Sequence, residues 1–351
     1  MFVEPHLADP PQEGRAARLW TAGAGPAAAL TRRRAGGCLL LAGLAGLGPT
    51  TWAQSPPLRI GVLTPNDAGS YARYLKMHRD LLRQMGVLEG RDYLLAVRHA
   101  DGQVEALPRL AAELAAMPVA VIIAPGPSII AALEAASPVP VVGLGDLADA
   151  AARAGPLLTG KRLTGVSLIF ESLHAKRLEL LAQLLPRGSA VLALGAPGAR
   201  GRPGTEALLA TGRQLGLVMH ITYGLSLPEI DEAFALARRL KVAAMLMLSH
   251  PLLNARRAHV IAHAARARLP VMYQWPDSTH DGGLMGYGVV VEDVYGQVTR
   301  LAWRVATGSQ AADLPVEQPT RVVLSINLKT ARELGLRVPA ALLARADEVI
   351  Q

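Results

Sequence analysis

The chain has 351 residues, 51% of them apolar and only 4% aromatic, with a net charge of +8. That length holds two α/β domains of ordinary size, and the composition excludes a disordered chain, so Ala, Leu and Val must fill the cores. The basic residues, among them Arg73, Arg98, Arg177, Arg238, Arg256 and Arg300, are scattered without interleaved aromatics. They read as a solvated surface and exclude a nucleic-acid-binding stripe.

At the N-terminus, Arg32, Arg33 and Arg34 precede the apolar run "AGGCLLLAGLAGLG" and the small-residue exit "PTTWAQSPP". A basic start, a short apolar core and a small-residue exit make a secretory signal. Thr51 and Ala53 occupy its cleavage positions, so the mature chain is expected to start at Gln54, in the periplasm. The run is too short to span a bilayer. Residues 1–30 lie upstream of this signal, and translation is expected to begin nearer the arginines. Cys38, the only cysteine, lies at the start of the run rather than after it, the wrong place for lipid attachment. Its removal leaves a mature chain without a disulfide.

From Leu58 onward strands and helices alternate. "LRIGVLT" precedes the amphipathic "SYARYLKMHRDLLRQMG". Then come "DYLLAVRHA", "VEALPRLAAELAAM", "VAVIIA", "SIIAALEAA" and "VPVVGL". The series restarts at "RLTGVSL" and "ESLHAKRLELLAQLL". It runs through "SAVLALG", "GTEALLATGRQLG", "LVMHITYG", "PEIDEAFALARRL" and "VAAMLMLS" to the helix "NARRAHVIAHAARARL" and "PVMYQW". Short β-branched runs alternating with helices predict right-handed βαβ units on parallel sheets. The fold class expected is α/β, with two doubly wound parallel-sheet lobes joined by crossover hinges. The first lobe is assigned residues 58–164 plus 288–320, and the second 165–287 plus 321–351; residues 1–53 are the extension and signal.

Ligands of such sheets bind beyond the carboxyl ends of the strands, where the crossovers change direction. Those ends are "TPND" (64–67), "APGPS" (124–128), "GLGD" (143–146), "GAPG" (195–198), "LSHP" (248–251) and "YQWPD" (273–277). Gly143, Gly145 and Ala148 match the spacing of a dinucleotide fingerprint. They follow a late strand of their lobe, however, and no acid lies about 20 residues on to hold a ribose. The loop reads as a glycine-bearing turn at the cleft, and no cofactor is expected. His259 and His263 share a helix face without the Glu of a zincin motif and among Arg256, Arg257, Arg266 and Arg268, so no metal is assigned. Nor is there a nucleophile elbow or a cysteine nucleophile, so no catalytic residue is assigned and the chain is not expected to be an enzyme.

The tail carries a resemblance. "GGLMGYG" (282–288) and "DLPVEQPTRVVLSINLKTARELGLRVPAALLARADEVI" (313–350), with "RIGVL", "LEGRDYLLAVRHADGQVEALPRLAAEL", "VSLIFESLHAKRLELL" and "LPVMY", resemble one family across residues 58–350. It is the ABC-transporter substrate-binding family that includes tryptophan- and phenylalanine-binding lipoproteins. The resemblance implies a type I periplasmic-binding-protein fold, closing on a small organic solute and serving an ABC permease and ATPase, most simply as a monomer.

Carried over by position, the cleft residues are Thr64, Pro65, Asn66, Gly126, Pro127, Ser128, Gly145, Asp146, Ser167, Pro197, Ser249, His250, Tyr273, Trp275, Asp277 and Tyr287. The chain departs from the family in "SHP", where His250 stands at a commonly acidic position, and in "YQWPDSTHDGG". For a zwitterionic solute, Ser128 at a helix start is expected to meet a carboxylate, and Asp146 or Asp277 an ammonium. Tyr273, Trp275 and Tyr287 are expected to flank an apolar body. Hinges are placed at Leu163–Ser167, Gly286–Val291 and Gln318–Val323. The alternatives are a ligand sensor serving a separate signalling receptor, or an enzyme on the same scaffold.

Overall fold

The computed structural model describes residues 56–351 except 137, 157–159, 161 and 169–171. The signal, its cleavage positions and Cys38 lie outside the described residues.

The first sheet is built from β1 (Leu58–Thr64), β2 (Tyr93–His99), β3 (Val119–Pro125), β4 (Val141–Gly145) and β5 (Leu163–Ser167). Its spatial order is β2-β1-β3-β4-β5, all parallel. Helices cover both faces, so strands such as "VAVIIAP" are buried almost throughout instead of alternating. One face is closed by α1 (Ala68–Gln84), where Tyr71, Tyr74, Leu75, His78 and Leu82 form a single buried stripe. Asp67 caps that helix, its carboxylate accepting from Ser70 N at 2.9 Å. The other face is closed by α2 (Leu107–Ala115) and α3 (Ser128–Ala135), with Leu110, Ala111, Leu114, Ile129 and Ala132 in the core. The helix α4 (Leu147–Ala154) follows β4.

The second sheet comprises β6 (Ala190–Gly195), β7 (Val218–Tyr223), β8 (Ala244–Met247), β9 (Val271–Tyr273), β10 (Met285–Val289), β11 (Val322–Asn327) and β12 (Glu348–Ile350). Its order is β12-β11-β10-β9-β8-β6-β7, and only β10 and β11 are antiparallel. The helices α5 (Ser172–Ala182) and α6 (Pro203–Gln214) cover one face through Leu178, Leu181 and Leu208. On the other face lie α7 (Leu227–Arg239) and α9 (Arg257–Ala267), through Ile230, Phe234 and Val260. Both sheets run outward from a central strand in the same pattern, β2-β1-β3 and β7-β6-β8, so each has its own switch point. The fold is the two-lobed α/β architecture expected.

Three segments join the sheets. The chain leaves the first at Ser167 and returns after β10 as α10 (Val291–Ala306), whose Val294, Val298 and Leu301 pack in the first lobe's core. It then passes beside β5, where Glu317 N donates to Gly165 O at 2.9 Å and Ser167 N to Glu317 O at 2.8 Å, before entering β11.

Three local readings are corrected. The single helix expected over 254–269 is two: α8 (Pro251–Ala255), started by the His250 cap and Pro251, and then α9, broken from it at Arg256. Arg177 is not a surface cation. It is fully buried, donating from Nε to Tyr287 O (2.6 Å), from Nη1 to Ser249 Oγ (3.0 Å) and from Nη2 to Gln274 O (3.1 Å). Burial pulls its pKa down to about 9. The segment "RLTGVSL", expected to open the second series, holds β5 at the edge of the first sheet. A Cβ on its Gly165 would meet Gly143 O at 2.0 Å, so β5 pairs this closely with β4 only with glycine at 165.

Candidate functional site

Between the lobes lies a small cavity. Its first-lobe wall comes from Asn66 after β1, Tyr71 and Tyr74 on α1, and Tyr295 on α10; its second-lobe wall comes from His250, Asn254, Gln274 and Trp275. Four aromatic side chains thus converge in a chain with few. Tyr74 stacks on Tyr295 with ring centroids 4.6 Å apart and 15° between planes, and Tyr71 tilts against Tyr74 at 5.3 Å. Trp275 leaves the second lobe's β9 and packs into the first lobe's core cluster. Such rings offer a large rigid contact area with polar tips.

The polar groups are held by their own backbones. Thr64 Oγ1 accepts from Asn66 N at 3.2 Å, and Asn66 O accepts from His99 Nδ1 at 3.2 Å. The Asn66 amide oxygen is buried without a hydrogen-bond partner among the described residues, as is the hydroxyl of Ser128 at the start of α3. His250 is fixed three ways: its N donates to Gln274 Oε1, Gln274 Nε2 donates back to its O, and its Nδ1 accepts from Leu252 N. Burial, with the Arg256 cation adding to it, lowers the His250 pKa to about 4, so the ring is neutral at pH 7.

The lobes touch at several points around this cavity. Asn254 Nδ2 donates to Tyr74 Oη at 2.8 Å. Arg73 of α1 donates to Asp277 Oδ2 at 2.6 Å, and its guanidinium lies 5.1 Å from the Tyr74 ring centre. Arg257 holds the same carboxylate oxygen at 3.2 Å. On another side Arg202, before α6, reaches Asp146 at 3.3 Å and Asp149 at 3.4 Å. Gly126, with φ +57°, lies so near Pro251 that a Cβ would come within 2.7 Å of its Cγ.

The structure therefore brings Asn66, His250 and Trp275 to the cavity, with Thr64, Pro65, Gly126, Pro127, Ser128 and Gly145 in the turns supporting the first lobe's rim. Asp146 caps α4 through Asp149 N and meets Arg202, while Asp277 gives Oδ2 to two arginines and keeps Oδ1 buried without a hydrogen-bond partner among the described residues. Tyr273 is a correction. It points into the second lobe's core and lines a separate cavity with Ile261 and Leu284. Tyr287 likewise packs on the second lobe's core and gives its carbonyl to Arg177. Ser249 is engaged by Arg177 and by His174, Ser167 belongs to the crossover, and Pro197 is exposed at a turn.

Tyr71, Tyr74, Tyr295, Asn254 and Gln274 were not foreseen. The i, i+3 pair in "SYARYL", directly after a cleft loop, is the signal that marks the first two; Tyr295 carries no local signal.

No curated protein matches significantly. Among solved structures, a conserved domain protein from Vibrio cholerae O1 biovar El Tor aligns at 20% identity and a TM-score of 0.73, covering 83% of this chain and 99% of that one. An ABC domain in complex with L-Trp from Streptococcus pneumoniae aligns at 21% and 0.72, over 84% and 100%. A periplasmic binding protein/LacI transcriptional regulator from Alkaliphilus metalliredigens, complexed with D-xylulofuranose, aligns at 12% and 0.52, over 76% and 96%. These likenesses establish the fold as that of the type I periplasmic binding proteins. The family model described as ABC transporter substrate binding protein matches residues 60–350, nearly the whole described chain. The cleft-bearing chain belongs to the ABC transporter substrate-binding protein family.

Proposed function

We propose that this protein is the periplasmic receptor of an ABC importer, closing its lobes on a small organic solute with a flat apolar body and delivering it to a permease and ATPase. The observation that carries this reading is the interlobe cavity walled by Tyr71, Tyr74, Trp275 and Tyr295, with Asn66, Asn254 and Gln274 at hand for the solute's polar atoms. An aromatic amino acid or an aromatic carboxylate has that shape. The unpaired Ser128 hydroxyl at the start of α3 and the Asn66 amide oxygen supply one hydroxyl donor and one acceptor near the rim.

Closure follows from contacts made with both walls, since a ligand shifts a two-state equilibrium only by its differential affinity. Trp275, Asn254 and Asp277 reach across to the first lobe, so a solute seated among the rings is enclosed by groups that separate when the lobes part.

The test is mass spectrometry of small molecules released from gently purified protein, followed by a thermal-shift panel of amino acids and aromatic acids. An aromatic member should raise the melting temperature, as any ligand of the native state alone does, and Trp275→Ala should abolish that rise. A panel of aromatic solutes that leaves the transition unmoved, with no small molecule released, overturns the aromatic-solute reading.

A further inference from the structure

We propose a transition-metal site on the outer face of the second lobe, formed by Asp231 of α7 with His259 and His263 of α9. The inference is independent of the solute reading. His259 and His263 stand one turn apart on α9, and both Nε2 atoms point at the same oxygen, Asp231 Oδ1, at 2.6 and 2.9 Å. The two imidazoles lie 4.5 Å apart, and the Phe234 ring packs 5.1 Å from that of His263, limiting its rotation. The carboxylate is brought in by the capping box at Ser226 and Glu229, which starts α7 so that Asp231 falls one turn inside it.

The sequence argued against a cation here because four arginines surround the histidines. Tertiary structure answers part of that objection. Arg257 is paired with the carboxylates of Asp277 and Asp281, whereas Arg256 and Arg268 donate to the carbonyls of Leu225 and Glu333 and keep their charge, which the Asp231 carboxylate offsets at the cluster itself. Arg266 remains beside the cluster and acts on Asp231 and His263. The Arg256–Leu225 bond also ties the start of α9 to the turn before α7, holding the two helices in register.

Two imidazole nitrogens and one carboxylate oxygen are the donor set of Zn²⁺, Co²⁺, Ni²⁺ or Cu²⁺ rather than of Mg²⁺ or Ca²⁺. Tetrahedral zinc with bonds of about 2.0–2.1 Å separates its donor atoms by about 3.3 Å. The present 2.6 and 2.9 Å separations need a retreat of only several tenths of an ångström at side chains that are partly exposed. On binding, each Nε2 offers its lone pair, so each neutral ring carries its proton on Nδ1. Water completes the shell on the exposed side. The clamp joins α7 to the helix whose first residue, Arg257, holds Asp277 at the cleft.

The test is titration of the full, untagged, chelator-treated chain with Co²⁺ and Zn²⁺ against a chromogenic chelator, with Co²⁺ absorption reporting coordination. Because changes to outer-shell partners alone cost about 10- to 100-fold in metal affinity, Asp231→Asn, His259→Gln and His263→Gln should each weaken binding by at least that much. His280→Gln, at the separate pair with Glu348, should leave it unchanged. Zn²⁺ should raise the melting temperature of the parent chain where Mg²⁺ does not. Absence of Co²⁺ binding, or binding that survives all three substitutions, overturns the proposal.

Discussion

Mild acid should unfold this protein through three buried histidines. His78 Nδ1 lies 2.6 Å from Thr299 Oγ1, whose own hydrogen goes to Tyr295 O, so Nδ1 carries the ring proton and Nε2 is buried without a partner. His174 Nε2 accepts from Ser249 N, and His250 Nδ1 accepts from Leu252 N. A second proton on any of these rings either lacks an acceptor or displaces a backbone donor. Burial accordingly lowers their pKa values to about 4, about 3 and about 4. The unfolded rings titrate near the ordinary value of about 6.5.

The sign follows. Above pH 6.5 both states are neutral and nothing is lost. As pH falls below that value the unfolded chain takes up protons that the folded chain refuses, and stability drops until the folded pKa is reached. At pH 5 each histidine costs about 2 kcal/mol, and the three together about 6 kcal/mol, against a usual total of about 5–15. Urea unfolding between pH 7.5 and 5.0 measures the loss, above the range where most carboxylates protonate. His174→Gln keeps an acceptor for Ser249 N and should remove about one third of the pH dependence. A stability that is flat from pH 7.5 to 5.0 would refute the reasoning.

Trp275→Ala removes a ring that reaches the first lobe's core from the second. Small-angle scattering should show a more open particle, and a compact one as before would contradict its bridging role. Gly126→Asn keeps a residue that tolerates φ +57° but sets a Cβ against Pro251. The overpacking, about 1–3 kcal/mol, should weaken solute binding about 5- to 150-fold, and adding Pro251→Ala should restore it in the same titration. Tyr273→Ala should cost about 3–5 kcal/mol in urea midpoint analysis, as core aromatics do, while leaving solute affinity unchanged; an affinity loss would put Tyr273 back in the cleft.

Much of the fold was legible in the chain. β-branched runs closing on Gly, Pro and Asp, each followed by an amphipathic helix, fix parallel strands, and the carboxyl ends of those strands locate the cleft. The loops at Thr64–Asn66, Gly126–Ser128 and His250 could be read because a strand end is a local feature. Side-chain direction at Tyr273 could not. Its strand is buried on both faces, so apolar character no longer distinguishes the face toward the cleft from the face toward the helices.

Sequence by itself determined the two wound sheets, their loop-bearing edges and the family, because backbone periodicity and turn residues act over a few positions. Tertiary structure alone decided that Tyr71, Tyr74 and Tyr295 share a cavity wall with Trp275, and that Asp277 answers to Arg73 and Arg257. It also decided that Asp231 meets two histidines on another helix. Those pairings join groups far apart in the chain, and their energy depends on how helices dock, which no local pattern encodes.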